Sequence, residues 1–357
     1  MSKLPSLPEP NADQRAALEL LSSSPRVLLT GHERPDGDCL GSQAALARVL
    51  TARGQSAVIL EPDAPDPRFL EITRTADFRV DDGGPLPPHD LVVMLDGGDL
   101  SRTGGLADRL RAAPSKKLVV DHHLHDGDAW WDAAFVDTRA SATGVLVRRI
   151  AAHLDAPIDS ETARALFTTL VTDTGWFKYS NTDALTLEIA AELIGLGVRP
   201  AEIYGDLFQR ETLDHPGALA AALARTAYYA DGRVAVIDVP ATADGHAFEF
   251  DSDAALDVVR SVEAVEVALV LRGLGPARCK LSARSKGAFD ARALCATFGG
   301  GGHAKAAGAT IESPLADARA ALVERALEQL EGTRERRAAP RTAADAARVA
   351  FDGGGNG

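Results

Sequence analysis

Acidic and imidazole side chains recur in the first half of this 357-residue chain, mostly where a short apolar run ends. Two of the segments are GHERPDGD, from residue 31, and LVVDHH, from residue 118. The set comprises His32, Asp36, Asp38, Asp96, His122, His123 and Asp173. Carboxylates alone suit Mg2+ or Ca2+, whereas carboxylates mixed with imidazoles favour manganese, iron, cobalt or zinc. Because the set is too large for one ion, the pattern is typical of a two-metal hydrolase.

The elements that must position these side chains are short, apolar and rich in Val and Leu. They are VLLT at 27–30, LVVML at 91–95 and KLVV at 117–120. Such runs predict strands buried on both faces of a parallel sheet, and a helix from after Ser42 to Gly54 completes a unit of strand, loop and helix. In α/β sheets, ligands bind at the carboxyl ends of the strands. We therefore expect the metal-binding side chains on loops along one sheet edge, with Asp173 at the end of a helix.

In the second half, the segment ARCKLSARSKG, from residue 277, alternates strictly between polar residues and small or apolar ones. The pattern predicts a strand that forms a half-buried antiparallel hairpin with residues 265–272. One face of this strand carries Arg278, Lys280, Ser282 and Arg284. We expect this cationic face to bind an anionic substrate, and an ordinary solvated sheet face is the alternative.

Four successive glycines in FGGGGHAKAAG, from residue 298, form a second candidate substrate contact. Glycine stabilises neither helices nor strands, but it lets the backbone approach an anion closely and offer it amide hydrogens. A helix that begins near His303 would add the positive end of its dipole. A flexible poly-Gly linker is the alternative interpretation.

Five motifs, in their order along the chain, resemble those of the DHH/DHHA1 phosphoesterases. They are GHERPDGD, the aspartate that ends the next strand, Asp121-His122-His123, the TDTG from residue 172, and FGGGGHAKAAG. The resemblance extends from about residue 26 to about residue 331. It implies an α/β fold, in which an N-terminal DHH domain with a parallel sheet and helices on both faces precedes a smaller C-terminal α/β DHHA1 domain.

We expect the DHH domain to occupy residues 1–195 and the DHHA1 domain to occupy residues 231–332. Residues 196–230 are predicted to form a helical connector, because no strand pattern interrupts the helical stretches at 184–195, 200–209 and 215–230. Residues 333–357 contain few large apolar side chains and end in glycines, which predicts a disordered tail.

The resemblance also implies a role for each metal-binding side chain. One ion is held by His32, Asp36 and Asp96, and the other by Asp38, Asp96, His122 and Asp173. Asp96 then bridges two divalent ions, and Mn2+ is the expected metal. His123 is left to contact the substrate phosphoryl group, as a proton donor or a charge stabiliser, and Asp121 fixes the loop or a histidine tautomer.

Substrate contacts are implied for several residues of the second half: Arg284, Ser285, Gly301, Gly302 and His303, with Arg278 and Lys280 on the same cationic face. Trp176, Phe177 and Tyr179 either stack on a base or belong to the core, and aromatic residues at this spacing are more often core. The family pattern does not use His125, Asp126 and Asp128, which we interpret as a solvated loop.

Within the family, the chain looks most like the stand-alone enzymes, which implies a metal-dependent phosphoesterase that hydrolyses short oligoribonucleotides to nucleoside monophosphates and removes the 3′-phosphate of adenosine 3′,5′-bisphosphate. The formal net charge of -13 argues against long nucleic acid as a partner, because proteins that bind it usually carry a basic stripe. Three alternatives remain: a soluble phosphodiesterase for cyclic di-AMP or linear dinucleotides, a family inorganic pyrophosphatase, and a catalytically silent nucleotide-binding sensor. Family pyrophosphatases lack the GGGH segment, and a silent sensor is expected to have a damaged ligand set.

Cysteine spacing and hydropathy indicate the expected cellular compartment. Cys39, Cys279 and Cys295 form no Cys-x-x-Cys motif, so neither a disulfide scaffold nor a zinc knuckle is indicated, and a cytoplasmic location is expected. The N-terminal segment has no apolar signal core and no run approaches the length of a membrane span, so no membrane partner is expected. A homodimer is left open.

Overall fold

The computed structural model describes residues 7–125, 129–246 and 248–338. The chain forms two compact units, Met1–Arg210 and Glu211–Gly357. Their boundary falls inside the predicted connector at 196–230, and the domain limits 1–195 and 231–332 stay a prediction. Asp126, Asp128 and residues 339–357 of the predicted tail lie outside the described residues. In the described part of the chain, no helix is both long enough and apolar enough to cross a bilayer.

The first unit is built on a six-stranded sheet in which every neighbouring pair of strands is parallel. Its strands are β1 (Arg26–Thr30), β2 (Ser56–Glu61), β3 (Phe78–Val80), β4 (Leu91–Leu95), β5 (Lys116–Asp121) and β6 (Ala133–Val136). Every residue of β4 is buried, which explains its unbroken apolar run. The parallel sheet predicted from three such runs is confirmed.

Helices cover both faces of this sheet. They are α1 (Ala12–Ser23), α2 (Gly37–Ala52), α3 (Leu70–Thr73), α4 (Ala107–Ala112), α5 (Thr143–His153), α6 (Ser160–Asp173), α7 (Ala184–Gly195) and α8 (Pro200–Phe208), with short 3-10 helices at Pro67–Phe69 and Leu100–Leu106. Leu29 and Val93 pack on one face with α2, α5 and α6. Leu28 and Val92 pack on the other with α4 and the second 3-10 helix. Since burying such a side chain contributes roughly 1.5–3 kcal/mol, alternate residues of β1 and β4 fix the helices to the sheet.

The strand order is β3-β2-β1-β4-β5-β6, so its direction reverses between the neighbours β1 and β4. From β1 the chain moves outward through β2 to β3, and from β4 it moves outward the other way. The loops that leave the two carboxyl ends at such a point diverge and open a crevice. The residues that follow β1, β4 and β5 are therefore delivered to one place.

Helix α2 begins earlier than predicted, at Gly37 rather than after Ser42. Asp36 is its N-cap and accepts hydrogen bonds from the amides of Asp38 and Cys39, at 3.0 and 3.1 Å. An Asp-Gly-Asp sequence suits a polar turn and a helix start equally, so the pattern does not separate the two. Asp38 consequently lies in the first helical turn rather than on a loop.

The second unit contains a six-stranded mixed sheet, in the order β11-β12-β10-β9-β8-β7. Its strands are β7 (Thr226–Tyr229), β8 (Val234–Val239), β9 (Val267–Gly275), β10 (Arg278–Ser285), β11 (Gly301–His303) and β12 (Ala306–Ile311). Its helices are α9 (His215–Leu223), α10 (Ser252–Arg260), α11 (Ala291–Ala296) and α12 (Leu315–Ala338). Helices α11 and α12 pack on one face, and α9 and α10 pack on the other. The smaller C-terminal α/β domain is confirmed.

Three predicted features of the second half differ from the structure. The helix predicted at 215–230 ends at Leu223, and Thr226–Tyr229 is a strand that pairs with β8. Alanines favour the helical part, whereas the two tyrosines favour a strand once a partner strand is available. No helix begins near His303, which ends strand β11. Helix α12 continues to Ala338, past residue 333, where the tail was expected to begin.

Candidate metal centre

The carboxyl ends of three neighbouring strands bring the predicted metal ligands together. His32 follows β1, Asp96 follows β4 and His122 follows β5, while Asp38 and Asp173 come from the first turn of α2 and the last residue of α6. Three groups of described residues have ligand atoms within 4.8 Å of one another: Asp96, Asp121, His122 and His123; His32, Cys39 and Asp96; and Asp38, His122 and Asp173. Asp36, the N-cap of α2, stands outside these groups.

His122 shows most clearly that the cluster suits a metal ion. Its Nδ1 lies 3.0 Å from the carbonyl oxygen of Ala140 and donates its hydrogen there, which leaves Nε2 as the ring nitrogen that faces the cluster. Nε2 is buried and has no hydrogen-bond partner among the described residues. It lies 3.7 Å from Asp38 Oδ2, 3.6 Å from Asp96 Oδ1 and 3.7 Å from Asp173 Oδ2. These separations are too long for hydrogen bonds and suit ligand atoms around a shared cation.

His32 repeats this arrangement on the other side of Asp96. Its Nδ1 lies 2.8 Å from the carbonyl oxygen of Glu33, and its Nε2 lies 3.5 Å from Asp96 Oδ2. Asp96 thus presents one oxygen to each histidine, Oδ2 to His32 and Oδ1 to His122.

Several carboxylates repel one another in this cluster. Burial and the charge of Asp96 raise the pKa of Asp36, and raise the pKa of Asp38 well above its usual range. Burial raises the pKa of Asp173 to about 7, and the charges of Asp96 and Asp36 add to the effect. Burial opposes ionisation of Asp96 as well, but its histidine neighbours hold its pKa below the usual range. Since cations relieve this repulsion, the mixed carboxylate and imidazole set is a site for divalent metal ions.

Asp96 has a left-handed backbone conformation, with φ at 58°. Apart from Gly, the residues that adopt it with any frequency are Asn, Asp and His. The amide of Asp96 donates to the carbonyl oxygen of Val120 on β5, at 3.1 Å. A conformation of this kind costs about 1–3 kcal/mol and is typical of functional sites, where the surrounding structure maintains it.

Cys39 completes one of the three groups, although it was not predicted as a ligand. It is fully buried, and its sulfur accepts a hydrogen bond from Gln43 at 3.3 Å. Burial, followed by the charges of nearby carboxylates, raises the pKa of its thiol well above the usual range. Cys39 is therefore a further potential donor beside His32 and Asp96, and burial favours its protonated form.

Asp121 and His123 form a hydrogen-bonded pair beside the cluster. Asp121 is fully buried; its Oδ1 accepts from His123 Nδ1 at 2.8 Å and its Oδ2 accepts from the amide of Gly98 at 2.7 Å. Burial acts to lower the pKa of His123, but the hydrogen bond and charge of Asp121, with the charge of Asp96, raise it to about 9. The hydrogen bond to Asp121 therefore favours the protonated form of His123.

His125 lies against the same aspartate, so the solvated loop predicted for it is wrong. Its Nε2 is 3.5 Å from Asp121 Oδ2, and its ring centroid is 5.3 Å from that of Trp131. The ring fits because residue 98 is glycine, where a Cβ would lie 1.7 Å from His125 Cε1. Trp130 closes this corner by donating from Nε1 to the carbonyl oxygen of Gly98, at 2.7 Å.

The start of α5 supplies contacts that the sequence analysis missed. The amides of Thr143 and Gly144 donate to Asp38, and the Thr143 hydroxyl donates to Asp96. Asn181 reaches Asp173 Oδ2, at 3.3 Å. The available signal was the short polar stretch ASATG before an apolar helical run, which predicts a helix start but not the carboxylates that it meets.

The aromatic residues after Asp173 were expected either to stack on a base or to belong to the core. Trp176 and Phe177 meet the ring of Phe167 edge-on, at centroid distances of 6.4 and 6.1 Å, and pack against the core. Tyr179 is 37% exposed. The core interpretation therefore describes Trp176 and Phe177.

The predicted cationic strand is present in the second unit, and two of its arginines have acidic partners. Strand β10 alternates in burial and pairs antiparallel with β9, as predicted. Arg284 Nη2 lies 2.6 Å from Asp253 Oδ1, and Arg278 Nε lies 3.1 Å from Glu312 Oε1. Lys280 is half-buried between them on the same strand. A phosphate bound here must replace or join these carboxylates.

Ser285 and the glycine segment have structural tasks of their own. Ser285 is 2% exposed, and its Oγ is 2.9 Å from the carbonyl oxygen of Phe289 and 3.2 Å from that of Ala304. Gly301, Gly302 and His303 are exposed on β11. Gly302 has φ at 130°, and a Cβ there would lie 2.6 Å from the carbonyl oxygen of Ala306. The tight pairing of β11 with β12 therefore requires glycine at position 302.

Comparison with known proteins identifies the family. A model of the DHH family N-terminal domain matches residues 26–170, and a model of the DHHA1 domain matches residues 234–332. The bifunctional oligoribonuclease and PAP phosphatase NrnA of Thermus thermophilus is 32% identical over 288 residues, which are 80% of this chain and 84% of that protein. The chain belongs to the DHH family. With its cluster of metal-binding side chains, this DHH protein is a phosphoesterase, and so a hydrolase.

A more distant relative and a solved structure are also similar to this chain. The cyclic-di-AMP phosphodiesterase PdeA of Listeria monocytogenes is 24% identical over 311 residues, which are 81% of this chain but 45% of that protein. The crystal structure of an exopolyphosphatase-related protein from Bacteroides fragilis has a TM-score of 0.78 at 23% identity and covers 89% of this chain and 97% of that one. At that identity the likeness shows the fold, and it agrees with the α/β architecture of both units.

Proposed function

We propose that this DHH protein hydrolyses short oligoribonucleotides to nucleoside monophosphates and removes the 3′-phosphate of adenosine 3′,5′-bisphosphate, using two divalent ions. The observation that carries the proposal is the position of His122 Nε2, which lies within 3.7 Å of oxygens from Asp38, Asp96 and Asp173. The names of its NrnA relatives supply the substrate class.

The proposed ligands form two sets, one for each ion. His32, Asp36 and Asp96 would hold one ion, and Asp38, Asp96, His122 and Asp173 would hold the other, so Asp96 would be shared. Mn2+ is the proposed metal, because the ligands mix hard carboxylate oxygens with imidazole nitrogens. When bound, the ions supply Lewis-acid neutralisation of the phosphoryl oxygens and activate water for attack on phosphorus.

His123 is the proposed proton donor to the leaving oxygen. Asp121 binds its Nδ1–H, so Nε2 is the nitrogen that exchanges a proton with substrate. With its pKa raised to about 9, the ring carries that proton at neutral pH and also offers positive charge to the phosphoryl group. Asp121 is the proposed orienting residue, since its second oxygen is fixed by the amide of Gly98.

The second unit is proposed to hold the nucleotide end of the substrate. Arg284 is the proposed phosphate contact because a guanidinium binds phosphate through two parallel hydrogen bonds. Lys280 and Arg278 add positive charge on the same face, and Gly301, Gly302 and His303 lie exposed on β11. Ser285 contributes by holding the turn after Arg284 through its bonds to Phe289 and Ala304. The cytoplasm is the proposed compartment, and a homodimer stays a prediction.

The test is a parallel assay of the purified protein with Mn2+ against pApA, adenosine 3′,5′-bisphosphate, cyclic di-AMP and pyrophosphate. We expect turnover of the first two and loss of all turnover with EDTA. Cyclic di-AMP as the best substrate would favour the function named for the PdeA relative. Pyrophosphate as the best substrate would contradict the proposal, and an absence of turnover on all four would favour a nucleotide-binding sensor.

A further inference from the structure

Thr143, the first residue of α5, contacts two of the carboxylates in the metal cluster. Its amide donates to Asp38 Oδ2 at 2.7 Å, and its hydroxyl donates to Asp96 Oδ1 at 3.1 Å. The residue is fully buried, and so are both hydrogen bonds. In the proposed assignment, one of these carboxylates belongs to the second ion alone and the other to both ions.

The surroundings of α5 keep Thr143 in place. Asp38 Oδ1 accepts a further hydrogen bond from the amide of Gly144 at 3.1 Å and another from Ser42 Oγ at 3.2 Å. The first amides of a helix lack partners within it and favour negative charge, so Asp38 satisfies them in the way a capping residue would. Gly144 has no room for a side chain, because a Cβ there would lie 1.7 Å from Thr169 Oγ1 on α6. Helix α5 is thereby packed closely against α6 at the point where it meets the cluster.

The Thr143 hydroxyl also selects the orientation of the Asp96 carboxylate. It binds Oδ1, the oxygen that lies 3.6 Å from His122 Nε2, while Oδ2 lies 3.5 Å from His32 Nε2. Rotation of the carboxylate about the Cβ–Cγ bond would break this hydrogen bond. The hydrogen bond therefore keeps Oδ1 near His122 and Oδ2 near His32.

We propose that Thr143 is a positioning residue that sets the spacing of the two metal sites, because its amide fixes Asp38 and its hydroxyl fixes the bridging Asp96. The inference rests on the metal assignment made for the proposed function. It adds a residue that touches neither ion, and it assigns the geometry of the bridge to the start of α5. Supporting groups that orient metal ligands typically change metal affinity or activity 10- to 100-fold when they are removed.

The test compares Thr143→Val, which removes the hydroxyl at nearly constant shape, with Thr143→Ser, which retains it. Thr168→Val is the matched control, because Thr168 is a buried threonine of α6 whose hydroxyl donates to the carbonyl oxygen of Arg164, at 3.1 Å. Mn2+ binding is measured by calorimetry, and the magnetic coupling of the bound ions is measured by electron paramagnetic resonance. Thermal unfolding without metal reports on the fold.

We expect wild type, T143S and T168V to bind two Mn2+ ions with a coupled signal. T143V should lose the coupled signal and bind the second ion about 10- to 100-fold more weakly, with a melting temperature close to that of T168V. Thr143→Ala replaces T143V if the valine variant does not fold. Failure of both variants to fold would overturn the inference, since the hydroxyl would then support the fold rather than the metals.

Two outcomes separate this inference from the proposed function. If wild type binds fewer than two ions, the two-metal function itself fails, and the inference fails with it. If wild type binds two coupled ions and T143V matches it in both measurements, the positioning role alone is overturned. Equal weakening in T143V and T168V would also overturn it, because the effect would then be a general cost of removing a buried hydroxyl.

Discussion

The metal cluster of the first unit and the cationic strand of the second differ in how their polar groups are satisfied. In the cluster, His122 Nε2 is buried near three carboxylate oxygens with no hydrogen-bond partner among the described residues. On β10, Arg284 and Arg278 are ion-paired to Asp253 and Glu312. The first arrangement suits cations, whereas the second is already paired, so a phosphate proposed to bind there would displace or join an existing carboxylate.

Because the two regions differ in burial, loss of a charge partner has a different energetic cost in each. Asp96 is 3% exposed and Asp38 is 1% exposed, so leaving their charges uncompensated is costly. The side chains of Arg284 and Asp253 are 25% and 72% exposed, and an ion pair of that kind contributes only about 0–1 kcal/mol. Removing a partner should therefore cost much more in the buried cluster than on β10, where a phosphate would displace Asp253 from Arg284 at little cost.

The largest expected effect is that of Asp96→Asn. An amide cannot balance the charge of two ions, so turnover should fall below about a tenth of the wild-type rate, which corresponds to more than about 1.4 kcal/mol in the barrier. Asn tolerates the left-handed backbone, so folding should survive. Steady-state assay at saturating Mn2+ is the measurement, with circular dichroism as the control for folding. A folded variant that keeps more than a tenth of the rate would falsify the bridging role.

Substrate length is the next expected effect. The net charge of -13 opposes each phosphate of the substrate beyond the few proposed to be bound. Catalytic efficiency should be highest for about two to five nucleotides and at least about tenfold lower for an RNA of about 24 nucleotides, a loss of about 1.4 kcal/mol or more. Digestion of 5′-labelled RNAs of increasing length at physiological salt measures it. A flat or rising profile would indicate a processive exonuclease.

Arg284→Ala should separate binding from chemistry. Loss of the guanidinium should raise KM for nucleotides about tenfold, equivalent to about 1.4 kcal/mol, and leave an aryl phosphodiester substrate nearly unchanged. Asp253→Asn is the companion variant, because it removes the ion pair and keeps the arginine. It should leave nucleotide KM unchanged or lower it. Equal losses on both substrates in the Arg284 variant would point instead to a catalytic or structural role.

The smallest expected effect concerns stability rather than turnover. Glu61 ends β2, is fully buried, and neither carboxylate oxygen has a hydrogen bond of good geometry among the described residues, although Gln43 lies nearby. Burial raises the pKa of Glu61 to about 8, from 4.5 in an unperturbed glutamate. The folded protein binds this proton more tightly than the unfolded chain does. The resulting stability is complete below pH 4.5 and is lost as the pH rises towards 8.

Glu61→Gln should remove that pH dependence. Between pH 5 and pH 8, the free energy of unfolding of wild type should fall relative to that of the variant by at least about 1 kcal/mol, since one pKa unit corresponds to about 1.4 kcal/mol. Urea unfolding of both metal-free proteins at the two pH values measures the difference. The other titrating carboxylates are common to both proteins and cancel. Parallel pH profiles for the two proteins would show that Glu61 is ionised in the fold.

The sequence predicts the metal cluster better than it predicts the supporting contacts. The strands before His32, Asp96 and His122 each contain a buried run of Val and Leu, and parallel strands end at a common edge. The sequence pattern and the sheet topology therefore predict the same location for the cluster. The hydroxyl contact of Thr143 depends on how α5 packs against α6, over distances that no local pattern encodes. The position of His125 likewise depends on a glycine at residue 98 in another loop.

The errors in the second half have a similar cause. Four glycines predict close approach but not its partner, and the structure places β12 beside β11, whereas a helix was expected to begin near His303. The strand Thr226–Tyr229 forms because β8 offers it an edge. In both segments the local preference for a secondary structure is weak, so tertiary contacts determine the conformation.

The left-handed backbone at Asp96 also constrains how this protein can evolve. Substitutions of low conformational cost are limited to the few residues that tolerate φ near 58°, chiefly Gly, Asn and His. None of the three offers a carboxylate that two cations could share, so under the proposed mechanism the substitutions that the backbone accepts best are those that abolish catalysis. A lineage that lost hydrolysis and kept a nucleotide-binding scaffold is therefore expected to carry Gly, Asn or His at this position, a change that removes the activity without unfolding the protein.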